Sequence, residues 1–186
     1  MRVITGTAKG HKLKAPKGLE TRPTTDRIKE SLFNILGKIP GNSIVLDLFS
    51  GTGNIGIEFL SRGADECYFI DYSSECIKII KENLSNTKLL NKSYVYKNKV
   101  GRAIEILGKK NVKFDFIFMD PPYNKGFAEP TLNKIAEHKI IKHNGIVIVE
   151  HRTNTILPEK VHNLIKVHSR EYGNTTISFY KAEEEV

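Results

Sequence analysis

Apolar positions change their spacing twice along this chain. Residues 1–18 alternate imperfectly between apolar and polar, interrupted by Gly6 and Gly10, and predict a hairpin-like or irregular appendage with its turn near Gly10. The period then becomes helical. Thr24 or Thr25 can cap the start, Asp26 sits in the first turn, Ile28, Leu32, Ile35, Leu36 and Ile39 share one face, and Gly37 with Pro40 ends the run. Beyond Ser43, short apolar runs alternate with amphipathic stretches. Strands are predicted over about 43–48, 66–71, 93–98, 114–119, 145–150, 166–172 and 175–181, and helices over about 54–62, 74–86, 100–109, 129–138 and 158–165.

Continuous apolar strands separated by helices predict a mainly parallel sheet covered on both faces. The last two strands are joined only by Gly173 and Asn174, too short for a crossover, so they must form an antiparallel hairpin. The expected fold class is α/β and Rossmann-like: a mainly parallel seven-stranded sheet with a C-terminal antiparallel hairpin and a small N-terminal hairpin-and-helix extension. Residues 1–40 read as that extension, packed on a main domain of residues 41–186, and the acidic tail Glu183 to Val186 as a frayed end.

Composition narrows the setting. A chain of 186 residues is long enough for one well-developed core. No apolar run is long enough to span a bilayer, and no apolar block follows the basic N-terminus, which points to a cytoplasmic protein without a membrane partner. Cys67 and Cys76, expected in a strand and the following helix, read as ordinary thiols, and the scattered histidines suggest no metal site. The formal charge of +8 favours a polyanionic partner. Arg2, Lys9, Lys12, Lys14, Lys17, Arg22 and Arg27 concentrate it in a basic N-terminal face.

Three predicted strands end in loops with chemical content. In an open parallel sheet the ligand site lies beyond the carboxyl ends of the strands. "VLDLFSGTGNIG", Val45 to Gly56, carries Gly51, Gly53 and Gly56 in a G-x-G-x-x-G pattern that lets backbone N–H groups approach a ligand. Asp71 ends the next strand 24 residues after Asp47, where a carboxylate can accept both ribose hydroxyls. Both features suit an adenosine ligand, and NAD and S-adenosylmethionine (SAM) remain alternatives at this point. Asp47 favours SAM, because a carboxylate there would repel a pyrophosphate and attract a methionine ammonium.

The third loop is Asp120, Pro121, Pro122 and Tyr123. An exocyclic base amine is a poor nucleophile because its lone pair is delocalised into the ring. Acceptors that hold its N–H groups, here the Asp120 carboxylate and the Pro121 carbonyl, favour a pyramidal nitrogen. The two prolines fix the arc that aims these acceptors, and Tyr123 can stack on an extruded base.

The G-T-G loop followed by D-P-P-Y resembles the SAM-dependent amino-methyltransferases. More closely, "MRVITGTAKGHKLKAP", "TRPTTDRIKESLFNIL", "LDLFSGTGNIGIEFLSRGA" and "DPPY" resemble the bacterial 16S rRNA (guanine-N2) methyltransferases over essentially the whole chain. The resemblance implies a Rossmann-like SAM methyltransferase fold, SAM as cofactor, and 16S rRNA within the small ribosomal subunit as partner of a monomeric enzyme. Asp47, Phe49, Gly51, Thr52 and Gly53 would line the methionine end of SAM and Asp71 would bind the ribose, with Ser50, Gly56 and Tyr72 also at the cofactor. Asp120, Pro121, Pro122 and Tyr123 would hold the guanine amine. Arg22 within "TRPT" would contact RNA or the active site, and Lys9, Lys12 and Arg27 of the basic N-terminal face would contact RNA. Relatives often carry Asp after the third strand to meet the adenine amine; here Asn98 takes that place, with Lys99 expected to point away. An adenine-N6 DNA methyltransferase, an NAD dehydrogenase and a catalytically silent RNA-binding protein are the competing readings.

Overall fold

The structure, a computed structural model, describes residues 1–16, 26–123 and 126–183. Five strands run parallel: β1 (Ile44–Leu48), β2 (Glu66–Asp71), β3 (Ser93–Lys97), β4 (Phe114–Met119) and β5 (Ile141–Arg152). Three more add antiparallel pairings: β6 (Lys160–Val161), β7 (Leu164–Tyr172) and β8 (Thr175–Ala182). Together they form one eight-stranded sheet in the order β3-β2-β1-β4-β5-β8-β7-β6. The chain leaves β1 toward β3 and returns to β4 on β1's other side, so a crevice opens between the carboxyl ends of β1 and β4.

Helices cover both faces. On one side α1 (Asp26–Leu36), α2 (Asn54–Ser61) and α3 (Ser74–Asn86) bury Leu32, Ile57 and Ile80 against Val45, Phe69 and Phe118. On the other, α4 (Val100–Lys109) and α5 (Ala128–Glu137) bury Ile104, Leu132 and Ile135 against Leu46, Ile117 and Val147. Burial on both faces explains why β1 and β4 read as continuous apolar runs. Within β1 the exception is Asp47, whose side chain is buried on the α2 side.

Three expectations need correction. The helix expected over 158–165 is instead β6, a turn at His162 and Asn163, and the start of β7. Val161 and Leu164 share a helical spacing, but a tight turn with His162 at φ 51° makes them a facing antiparallel pair, both buried in the core. This extra strand brings the sheet to eight rather than seven. The N-terminal hairpin reduces to a looped segment closed by a single bridge, Arg2 to Lys12. The expected strand at 145–150 extends over Ile141–Arg152. Thr24 and Thr25, the expected caps of α1, lie outside the described residues, as do Lys17, Arg22 and residues 184–186.

The N-terminal segment is held by a buried charge cluster. Lys29 of α1 is fully buried, and its Nζ pairs with Glu58 Oε2 of α2 at 3.1 Å and donates to Asn54 Oδ1 at 2.7 Å and the Arg2 carbonyl at 2.5 Å. Glu58 accepts in turn from the backbone N–H groups of Ile4 and Thr5, at 2.9 and 3.0 Å, and from Arg62 Nε at 2.9 Å. Burial pulls the Lys29 pKa down while the Glu58 charge opposes the shift. Removing one partner of a buried pair strands the other, at a cost of about 3–5 kcal/mol. Glu58→Gln is therefore expected to lower unfolding stability by about that amount in urea titrations, whereas a shift below about 1 kcal/mol would show that the cluster does not hold the segment.

Candidate active site

A cleft of about 1520 Å³ opens at the carboxyl edge of the sheet and is lined by the ends of β1, β2, β4 and β5. This exceeds the usual range of about 300–1000 Å³ for a small-ligand pocket, leaving room for two ligands side by side. Its first wall is the loop after β1. Ser50 ties that loop to β2, with its N–H donating to the Ile70 carbonyl at 3.0 Å, its hydroxyl to the Asp47 carbonyl at 2.6 Å, and its Oγ accepting from Ile70 N–H at 3.0 Å. Phe49 is held at φ 58°, a sparsely populated conformation for a bulky residue, which the stitched loop enforces.

The two later glycines have structural tasks. Gly53, at φ 76°, turns the chain into α2, and Gly56 lies where a Cβ would come within 2.3 Å of Phe69 Cε1. Neither is among the lining residues of the cleft; of the three motif glycines, Gly51 alone is. The Gly56 N–H donates to Asp47 Oδ2 at 3.0 Å, so the close packing that glycine permits also fixes the acid. Asp71 is fixed similarly, its Oδ2 accepting from Gly51 N–H at 2.9 Å and its Oδ1 from Ser73 N–H at 2.8 Å.

Asp47, Phe49, Ser50, Gly51, Thr52, Asp71, Tyr72, Asn98, Asp120, Pro121, Pro122 and Tyr123 all line this one cleft. Lys99, expected to point away, lines it beside Asn98: it sits at the N-cap of α4, directly after the β3 end that forms the rim. Lys9, Lys12 and Arg27 are exposed and do not line it. Arg22 lies outside the described residues. Two other members of the basic N-terminal set are paired with acids, Arg2 with Asp26 and Lys14 with Glu82.

Several lining residues escaped the sequence reading. Arg152 ends β5, Thr153 and Asn154 follow it, and Gly173 and Asn174 form the β7–β8 turn. A parallel β5 implied a fourth strand end at this edge, but the fold of the hairpin back over it had no local signal. Phe127 stacks with Phe49 at 6.3 Å, and the Met1 sulfur accepts from the Thr52 hydroxyl at 3.3 Å. Behind the loop, fully buried Asn83 donates to the Thr52 and Lys14 carbonyls at 3.0 and 3.1 Å and accepts from Lys14 N–H at 2.8 Å.

The electrostatics decide between the two adenosine ligands. Burial raises the Asp47 carboxyl well above its ordinary range, against the Gly56 N–H, and the Asp71 charge raises it further. Burial likewise raises Asp120, followed by the charges of Glu150 and Asp47. Glu150 stands one step past Val149, the register partner of Met119, which makes it the neighbour of Asp120 across the β4–β5 ladder. A pyrophosphate would meet Asp47 and Asp120 with like charge, whereas Asp71 suits the ribose of either ligand. A ligand carrying an ammonium and a sulfonium fits this donor set.

Comparison with known proteins agrees. The family model described as conserved hypothetical protein 95 matches residues 1–181. YlbH of Bacillus subtilis is 40% identical over 181 residues, covering 97% of this chain and 98% of that protein. The ribosomal RNA small subunit methyltransferase D of Escherichia coli strain K12 is 30% identical over 183 residues, covering 98% and 90%. The chain belongs to the family of bacterial 16S rRNA (guanine-N2) methyltransferases, which are SAM-dependent. The solved structure of yhhF from Escherichia coli shares the fold with a TM-score of 0.85 at 30% identity, covering 100% of this chain and 99% of that one. One from Thermus thermophilus gives 0.85 at 25%, covering 99% of each.

For this member of the methyltransferase family, the buried acids carry a cost to stability that can be measured. A carboxyl whose folded pKa is raised binds more protons folded than unfolded, so stability is lost as pH rises from the ordinary carboxylate range through the raised one. Asp47→Asn is expected to raise the melting temperature of the ligand-free protein at neutral pH and to leave it nearly unchanged in acid; destabilisation at neutral pH would contradict a strained, buried charge.

Proposed function

We propose that this enzyme transfers the methyl group of SAM to the exocyclic N2 amine of a guanine in 16S rRNA, within a small ribosomal subunit or its assembly intermediate. The observation that carries the reading is that Asp120, Pro121, Pro122 and Tyr123 open into the same cleft as Asp47 and Asp71. Bound there, SAM supplies an electrophilic methyl on a positively charged sulfur. Asp47 faces the methionine ammonium, Asp71 accepts from the ribose hydroxyls, and Asn98 stands at the adenine end.

The acceptor side follows from the β4 loop. The Asp120 carboxylate and the Pro121 carbonyl accept the two N2–H bonds and aim the nitrogen lone pair at the methyl, while Tyr123 stacks on the base. Once the new N–C bond forms, N2 carries a positive charge and must lose a proton. A half-buried Asp120 with a raised pKa is a competent local acceptor for it. Because Asp120 must be ionised to act, the rate falls as pH drops through that raised range, above the point where an ordinary carboxylate would titrate.

Exposed Lys9, Lys12 and Arg27 offer a basic face for RNA phosphates on the 1–40 extension of the 41–186 methyltransferase domain, and Arg22, outside the described residues, is assigned to RNA from its motif alone. The enzyme reads few bases itself and takes specificity from the shape of the particle. A ribosomal substrate fits a reaction in the cytoplasm, carried out by a monomer.

Transfer of labelled methyl to small subunits lacking the modification, to naked 16S rRNA and to duplex DNA tests the reading. N2-methylguanosine in rRNA is the expected product by nucleoside mass spectrometry; label in N6-methyladenine, or none despite SAM binding, would overturn it. Asp120→Ala is expected to lower kcat by about 10²–10⁴-fold, a loss far larger than the accompanying loss of SAM affinity.

A further inference from the structure

Guanine and adenine both carry an exocyclic amine, and the acceptors of a D-P-P-Y loop can hold either. Something else in the cleft must tell the two purines apart. Arg152, at the end of β5, lies on the wall across from the cofactor loop and carries its guanidinium 5.3 Å from the Tyr123 ring centre. Among the described residues no carboxylate pairs with it, although the cleft holds Asp47, Asp71 and Asp120. A fork of N–H donors is thus parked on the ring proposed to stack with the base.

The backbone beneath it is fixed. Burial lowers the pKa of His151, keeping its ring neutral, with Nδ1 donating to the Arg152 carbonyl at 2.9 Å and Nε2 accepting from the Ser178 hydroxyl at 2.8 Å. Next along the chain, Thr153 N–H donates to the Asn174 carbonyl at 3.1 Å and its hydroxyl to the Gly173 carbonyl at 2.9 Å. The chain is pinned on both sides of Arg152, and the exposed side chain alone is left to move.

We propose that Arg152 determines base specificity by donating in bidentate fashion to O6 and N7 of the guanine whose N2 is held at Asp120; this deepens the function proposed above and rests on it. With N2 at the Asp120 end, the far edge of the purine presents O6 and N7, two acceptors matched to a guanidinium fork. An adenine seated by its N6 turns N3 to that position, a single acceptor crowded by the sugar. Arg152 therefore favours guanine without touching the reacting nitrogen.

The test compares wild type, Arg152→Ala and Arg152→Lys on small subunits reconstituted from 16S rRNA transcripts made with guanosine or with 7-deazaguanosine, which lacks N7. Wild type should lose about tenfold in kcat/KM on the deaza particle. Arg152→Ala should be about 10- to 100-fold slower on the guanosine particle and show little further penalty from the deaza substitution. Arg152→Lys keeps the charge and can still rest on Tyr123, but lacks the fork, so it should match the alanine variant. SAM affinity and melting temperature should be unchanged in both. Overturning results are an alanine variant as fast as wild type, one that keeps the full deaza penalty, as a phosphate contact would, or one whose loss is matched by weaker SAM binding. If wild type fails on the guanosine particle, the proposed function fails first.

Discussion

Negative charge gathered at one edge of a parallel sheet is the constraint on which this structure turns. Strands β1, β2, β4 and β5 all point their carboxyl ends the same way, and β1, β2 and β4 end on or beside Asp47, Asp71 and Asp120, with Glu150 near the end of β5. A fold seeking stability alone would not bury acids so close together, because each desolvated carboxylate raises the cost of its neighbours. The arrangement makes sense when a cation completes it. The same acids that repel a pyrophosphate form a binding floor for a ligand with an ammonium at one end and a sulfonium in the middle.

Holding such a floor requires rigid support, and this comes largely from buried polar contacts. Lys29 and Glu58 join α1, α2 and the N-terminal segment, while Asn83 joins α3, Lys14 and the cofactor loop. The N-terminal residues are thereby tied into the scaffold of the cleft, with Met1 against Thr52. The basic N-terminal segment and the loop after β1 share their supports, so the face proposed to meet RNA and the proposed cofactor site are built on common residues.

Much of this was legible in the chain because the signals were local. Four strand-and-helix alternations, the G-T-G turn and D-P-P-Y each occupy a short stretch with one physical reading, and α3 and α4 lie where their periodicity places them. The failures were nonlocal or ambiguous over short spans. Val161 and Leu164 carry a spacing that suits a helix or a tight turn, and only pairing with the rest of the sheet decides. Gly56 looked like a ligand contact by motif, yet its missing side chain makes room for Phe69 and Cys67. Lys29 carries no local signal of burial, and nothing near it in sequence announces Glu58. Arg152 and the Gly173–Asn174 turn reach the cleft through the fold of the hairpin, which no local pattern encodes.

The most direct measurement is calorimetric: binding of SAM and of its demethylated product, S-adenosylhomocysteine, in buffers of different ionisation enthalpy across a pH series. The product lacks the sulfonium charge but keeps the adenosine and amino-acid ends. If the buried acids form a cation-matched floor, SAM binding releases protons, its affinity falls as pH drops through the raised range of Asp47 and Asp120, and the product shows a smaller proton release. Equal proton release for both ligands, or none for SAM at any pH, would contradict the central role given to these carboxylates.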